Sequence, residues 1–148
     1  MIRSEWSIVI DALPEAVFAR ISDPLNAPRD LPGVTAVRDV HGRWSTTWYR
    51  AECTVADVPI EVECEFQEYV PGQRLTVQST GGLDGRVTWQ LESQEGRTRV
   101  SLVSEYRLPA ALALQVPESL VQEQMDRQWQ EALANVKACV ELAEAATD

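Results

Sequence analysis

The groups that could do chemistry are few: one histidine, three cysteines and a run of alternating glutamates. A Ser-His-Asp or Cys-His nucleophile would have to recruit His41. That residue precedes Gly42 in a predicted turn, a poor place for a pocket floor, and reads as a solvated turn residue. Cys53 and Cys64 flank Asp57-Val58-Pro59. A hairpin centred there would set them opposite each other, as two small buried hydrophobes or as a cross-strand disulfide. Three cysteines and one histidine make neither a disulfide framework nor a zinc set, so no metal or cofactor is expected. Glu61, Glu63 and Glu65 alternate with Ile60, Val62, Cys64 and Phe66, which puts the carboxylates on a solvated face rather than in an acid-base pair. Gly81-Gly82 is too short for a phosphate loop and reads as a turn. No residue is assigned a catalytic role.

The aromatic residues point elsewhere. Phe66, Trp89 and Tyr106 share the inward parity of their predicted strands, and Met125 and Trp129 face them from a predicted helix. Gln128 borders that helix face, where the small Ala132 leaves room. Phe66, Trp89, Tyr106, Met125, Gln128 and Trp129 either pack a core or line a mostly apolar ligand cavity, with Tyr106 and Gln128 as polar handles. Arg50 and Glu52 share a parity with Trp48, as an exposed ladder or as a charged floor if the strand is turned over.

Thirteen Lys and Arg against 23 Asp and Glu leave a formal charge of -10, which argues against nucleic acid and anionic membrane as partners. No apolar run reaches membrane-spanning length. Met1 to Trp6 has no signal-peptide pattern, so a cytoplasmic protein is expected. The chain's 148 residues read as one domain, with no repeat or linker.

The elements that must position these residues are legible in turn. Ile2 to Ile10 reads as a strand with Trp6, Ile8 and Ile10 on one side; Leu13 to Ile21 is a short helix with Pro14 in its first turn. Asp23-Pro24 breaks it, and Leu25 to Leu31 makes a second short helix before the turn at Pro32-Gly33. Val34 to Val40 and Arg43 to Val55 are the next strands. The second has ambiguous facing, since Trp44 and Trp48 oppose Tyr49, Ala51, Cys53 and Val55. After a turn at Asp57-Val58-Pro59, Ile60 to Gln67 alternates cleanly. A two-residue loop at Pro71-Gly72 would set Phe66 against Val77 and Cys64 against Ser79. A two-residue loop at Glu95-Gly96 would set Leu91, Trp89 and Val87 against Val100, Leu102 and Ser104. Matching faces then requires an odd number of residues in the loop around Gly81 to Leu83.

Leu108-Pro109 ends the last strand, and Ala110 to Val116 is an apolar connector. Pro117 to Ala145 is one amphipathic helix, roughly 40 Å long. Val121, Met125, Trp129, Ala132, Val136, Cys139, Val140 and Ala143 form its inner stripe; Lys137 and Glu141 fall on the outer one. Ser119 and Gln122 have capping-box spacing. Glu141, Glu144 and Asp148 crowd the negative pole, so a loosened last turn is expected.

Strand, two short helices, six strands and a long helix make an α+β order. With the stretches Ile10-Asp11-Ala12-Leu13-Pro14-Glu15-Ala16-Val17-Phe18, Ile21-Ser22-Asp23-Pro24, Leu31-Pro32-Gly33-Val34, Phe66-Gln67-Glu68-Tyr69-Val70-Pro71-Gly72-Gln73-Arg74-Leu75 and Ala132-Leu133-Ala134-Asn135-Val136-Lys137, it resembles the START/Bet v 1-like (SRPBCC) superfamily. Within it the chain looks most like the polyketide cyclase/dehydrase-like branch and the branch similar to the G-type chain of CO dehydrogenase. The resemblance implies a helix-grip fold, a seven-stranded antiparallel sheet around the terminal helix, with a pocket for lipids, polyketides or other apolar small molecules. It allows a carrier, a cyclase/dehydratase-type enzyme using Tyr106 to move protons, or a factor that helps another enzyme mature.

Overall fold

The computed structural model describes residues 1–147. Seven strands run β1 Ile2–Ile10, β2 Val34–His41, β3 Trp48–Val55, β4 Val58–Val70, β5 Arg74–Thr80, β6 Asp84–Gln94 and β7 Arg97–Arg107. Helices α1 Pro14–Ile21 and α2 Ala27–Asp30 lie between β1 and β2; α3 Ala110–Ala113 and α4 Glu118–Thr147 follow β7. The strands form one antiparallel sheet in the order β1-β7-β6-β5-β4-β3-β2. This is the helix-grip arrangement. Alternate residues of the strands turn inward and join Val121, Met125, Trp129, Ala132, Leu133, Val136 and Val140 of α4 in one core.

The α4 side chains also finish the sheet. β1 is an edge strand, and outer backbone groups near its two ends are met from the helix rather than by another strand. Gln122 accepts from Arg3 N at 3.1 Å and donates to Arg3 O at 2.7 Å. Lys137 Nζ donates to Val9 O at 2.9 Å, and Glu141 accepts from Asp11 N at 2.8 Å. Covering an edge in this way removes a template for pairing with other chains. At the far side Gln124 accepts from Ala56 N at 2.8 Å, tying the β3–β4 turn to the helix.

These contacts correct several expectations. Gln122 is drawn to β1 and makes no capping box with Ser119; instead the Pro117 carbonyl accepts from Leu120 and Val121 N–H. Lys137 and Glu141 are half-buried on the β1 edge, not turned out. Leu133 joins the buried stripe, while Ala143 is exposed. The helix is continuous to Thr147; Asp148 lies outside the described residues.

The strand following β2 is shorter than expected: Trp44–Thr46 form a 3-10 turn and β3 starts at Trp48. The β3–β4 turn is Ala56-Asp57, both at positive φ, with Val55 paired to Val58. Two left-handed residues match the twist of a two-residue hairpin. Cys53 therefore faces Ile60, and Cys64 faces Tyr49; the two cysteines are not opposite each other and both are free thiols.

The β4–β5 register places Phe66 against Val77 and Cys64 against Ser79, as the alternation predicts, but by another route. The loop has three residues, Val70 being paired with Arg74, and a bulge between Phe66 and Glu68 absorbs the extra one. The β6–β7 pairs are those expected, and Gly81, Gly82 and Leu83 supply the odd loop before β6.

Candidate functional site

A cavity of about 130 Å³ lies between the sheet and α4. Its origin can be read from one row of cross-strand neighbours. Tyr49 faces Cys64, Cys64 faces Ser79, Ser79 faces Gly85, and Gly85 faces Tyr106. Three small residues on β4, β5 and β6 thus sit between two tyrosines on β3 and β7. The next row, Phe66, Val77, Val87 and Ser104, is bulkier over the same strands. Protein interiors are close-packed, so a row of small side chains under a helix leaves space unless a larger group leans in. Gly85 permits such a lean: a Cβ there would lie 2.3 Å from Tyr106 Cδ1 and 2.3 Å from Glu105 O. The Tyr106 ring therefore lies over Gly85.

The six residues named from the sequence, Phe66, Trp89, Tyr106, Met125, Gln128 and Trp129, all line this cavity. Trp89 and Trp129 meet edge-on with ring centroids 6.3 Å apart, and Phe66 meets Tyr49 edge-on at 6.4 Å. Ala132 and Val136 complete the helix side. The mouth is bounded by the segment from Arg20 to Val34. There Gln128 approaches Gly33 so closely that a Cβ on Gly33 would lie 2.8 Å from its Oε1.

Residues 1–141 match the family described as polyketide cyclase / dehydrase and lipid transport. The chain belongs to that family. No curated protein matches it. Among solved structures, a protein from Thermus thermophilus is similar at 22% identity, over 95% of this chain and 98% of that one, with a TM-score of 0.82. The Zhui aromatase/cyclase from a Streptomyces species is similar at 14% identity over 99% and 95%, with a TM-score of 0.73. The di-domain ARO/CYC StfQ from the steffimycin biosynthetic pathway matches at 10% identity over 97% of this chain and 52% of that one, with a TM-score of 0.77. At these identities the structures share the fold.

The cavity of this member of the polyketide cyclase/dehydrase and lipid transport family also carries polar and charged side chains. Sequence reasoning missed the ion pair at the mouth. Arg20 Nε and a terminal guanidinium nitrogen each donate to Asp30 at 2.7 Å, a bidentate pair in which Asp30 is almost wholly buried. Asn135 Nδ2 donates to Asp30 O at 3.0 Å, so the pair joins α1, α2 and α4. Asp23 accepts from Leu25 N at the turn before α2. Tyr49 was also missed, because the facing of its strand was ambiguous; it is buried, and Trp48 points out to stack on His41 with centroids 4.3 Å apart. Arg50 is exposed, with Asp39 and Glu63 near it, and Glu61, Glu63 and Glu65 are exposed on the outer face. His41 takes no part in the cavity.

Burial raises the acidic groups of the cavity. The Cys53 thiol is pushed up to about 11 and Cys64 to about 12, in both cases chiefly by desolvation. Burial likewise pushes the Tyr49 and Tyr106 phenols well above their ordinary range. Four protonated donors therefore face the space at neutral pH. The Trp129 indole N–H is buried with no acceptor among the described residues.

Those shifts predict a loss of stability in alkali. The unfolded chain releases the thiol protons near 9.0, and the folded chain only near 11 and 12. The folded state holds more protons between these values. Its stability is thus intact below pH 9 and falls as pH rises, by up to about 1.4 kcal/mol per pH unit for each thiol. Urea unfolding at pH 8, 9.5 and 10.5 should show this slope, and a Cys53→Ala, Cys64→Ala double variant should remove it between pH 8 and 9.5 while leaving the share that the two raised phenols add above pH 10.

Proposed function

We propose that this protein binds a small apolar molecule in the cavity between its sheet and α4. The observation that carries the reading is the row Cys64, Ser79 and Gly85, which keeps the floor small between two inward tyrosines. Family membership supports it, since the family's description includes lipid transport. Phe66, Trp89, Met125 and Trp129 would supply apolar walls, with Tyr106 and Gln128 as polar contacts. No helix among the described residues is long and apolar enough to cross a membrane.

The same inventory favours binding over a proton-transfer reaction of the cyclase kind. A general base needs a free, correctly poised group near neutral pH. The carboxylates on the lining are Asp30, held bidentately by Arg20, and Asp23, engaged with the backbone of Leu25. The thiols and phenols keep their protons.

Ser79→Phe tests the reading by filling the floor. Ser79 Oγ donates to Leu83 O at 2.9 Å, so Ser79→Ala is the matched control that loses the hydrogen bond without filling space. Native mass spectrometry of freshly purified protein should show a co-purified molecule in wild type and Ser79→Ala, and none in a folded Ser79→Phe. A bound molecule retained in full by Ser79→Phe would place binding elsewhere.

A further inference from the structure

The size and the polar lining of the cavity narrow the ligand further. Resting on the binding reading above, we propose that the occupant is an uncharged compound of single-ring bulk whose ketone or aldehyde oxygen accepts hydrogen bonds from Tyr49 and Tyr106.

The volume sets the bulk. Drug-sized ligands occupy pockets of roughly 300–1,000 Å³, whereas an apolar cavity of about 150 Å³ holds benzene. The space here is about 130 Å³. A single ring with a short substituent fits within it, and a fused multi-ring system must extend out through the mouth. The walls suit a flat ligand: Trp89, Trp129, Phe66 and Tyr49 present ring edges and faces around it.

The lining sets the charge. Its ionised groups are few and engaged: Arg20 and Asp30 satisfy each other, and Asp23 caps a backbone N–H. A carboxylate or ammonium brought inside would lose its hydration with no free counter-ion to meet it, a cost that bars a charged ligand.

The two phenols set the functional group. They stand at the two ends of the small-residue row, and Gly85 lets the Tyr106 ring turn over that floor. Among the described residues neither hydroxyl donates to a carbonyl or carboxylate of the protein. Tyr49 is hydrogen-bonded to the Cys64 thiol, a weak acceptor that a carbonyl oxygen would displace, and the Ser104 hydroxyl donates to Tyr106, which leaves the Tyr106 hydrogen free. Ser79, which could compete for the same oxygen, already spends its hydrogen on Leu83 O. A buried hydroxyl is stabilised most by an acceptor it can reach. A carbonyl oxygen offers two lone pairs to two donors, and desolvation keeps both phenols protonated for the task.

The test is calorimetric titration of the intact protein with four probes. Acetophenone carries the ring and the carbonyl. Its isostere α-methylstyrene replaces the oxygen by a methylene group. Benzoate adds charge, and 2-acetonaphthone adds a ring. Acetophenone should bind, and Tyr106→Phe and Tyr49→Phe should each weaken it by about tenfold, the scale of one buried hydrogen bond. Both variants should leave α-methylstyrene unchanged, since phenylalanine keeps the wall. Benzoate should not bind, and 2-acetonaphthone should bind more weakly than acetophenone. Equal loss of both isosteres, or no loss of acetophenone in either variant, would overturn the carbonyl assignment while leaving the binding reading intact. Tight binding of benzoate would overturn the charge argument, and tighter binding of 2-acetonaphthone the size argument. If no probe binds and native mass spectrometry finds no co-purified molecule, the binding reading falls with the proposal.

Discussion

Replacing Arg20 by methionine is expected to lower the unfolding free energy by about 3–5 kcal/mol, because it strands a buried carboxylate. The Asp30 side chain is 4% exposed and the Arg20 side chain 19%. The two halves of the pair are therefore unequal. Without Arg20, the Asp30 carboxylate keeps only the long 3.8 Å contact from the Cys139 thiol. Without Asp30, the guanidinium can swing its charged end to water while its stem stays packed. Asp30→Asn should accordingly cost less than Arg20→Met, on the order of 1–3 kcal/mol. Urea unfolding of the two variants checks the order, and a larger loss in Asp30→Asn would show that the pair is not what holds α1, α2 and α4 together. Because both residues border the cavity mouth, Arg20→Met should also speed ligand exchange at any given stability.

Gly85→Ala should cost about 3 kcal/mol, at the upper end for adding one methyl to a packed interior. The added carbon would meet Tyr106 Cδ1 and Glu105 O at 2.3 Å and Tyr106 Cα at 2.8 Å. Two of these are backbone atoms of the paired strand and cannot turn aside. The ring can, and its displacement would move the phenol off the floor of the cavity. Thermal unfolding reads the first effect and ligand titration the second. In a Tyr106→Ala background the methyl should cost less, since one of the three contacts is gone, yet the Glu105 carbonyl should keep part of the penalty. Full additivity of the two changes would mean that ring and glycine do not interact.

Both predictions turn on residues that sequence reasoning passed over, and the reasons are physical. Strands with one apolar parity were legible down to their partners. Phe66 against Val77 and Trp89 against Leu102 follow from clean alternation, because a slip of one residue would bury the glutamates or arginines of the other face. In the stretch 43–55, Trp44 and Trp48 oppose Tyr49, Ala51, Cys53 and Val55, so alternation alone leaves the facing open. The tie is broken by the neighbouring strand: Tyr49 pairs with Cys64 and Ala51 with Val62 on the buried parity of β4, while Trp44 leaves the strand for a 3-10 turn and Trp48 turns out onto His41. Half of the phenol pair was lost with that ambiguity. Arg20 and Asp30 look like ordinary surface charges in one dimension, and only the fold of α2 against α1 makes them a pair. Gly85 did leave a sign, a glycine within a strand, which marks a close approach of another group. On the helix, the spacing of Gln122 from Ser119 suggests a cap, whereas its partner is Arg3 in β1, more than a hundred residues earlier.

That distant partnership makes the terminal helix a hem as well as a core. Gln122 and Lys137 occupy hydrogen-bonding positions that an eighth strand would otherwise take at the two ends of β1, and Glu141 holds Asp11 just past it. A cut placed between Gln122 and Lys137 would do more than empty the hollow. It would leave a raw selvage of amide groups on β1, and the expected fate of such a fragment is stitching, copy to copy, into oligomers rather than a loosened monomer.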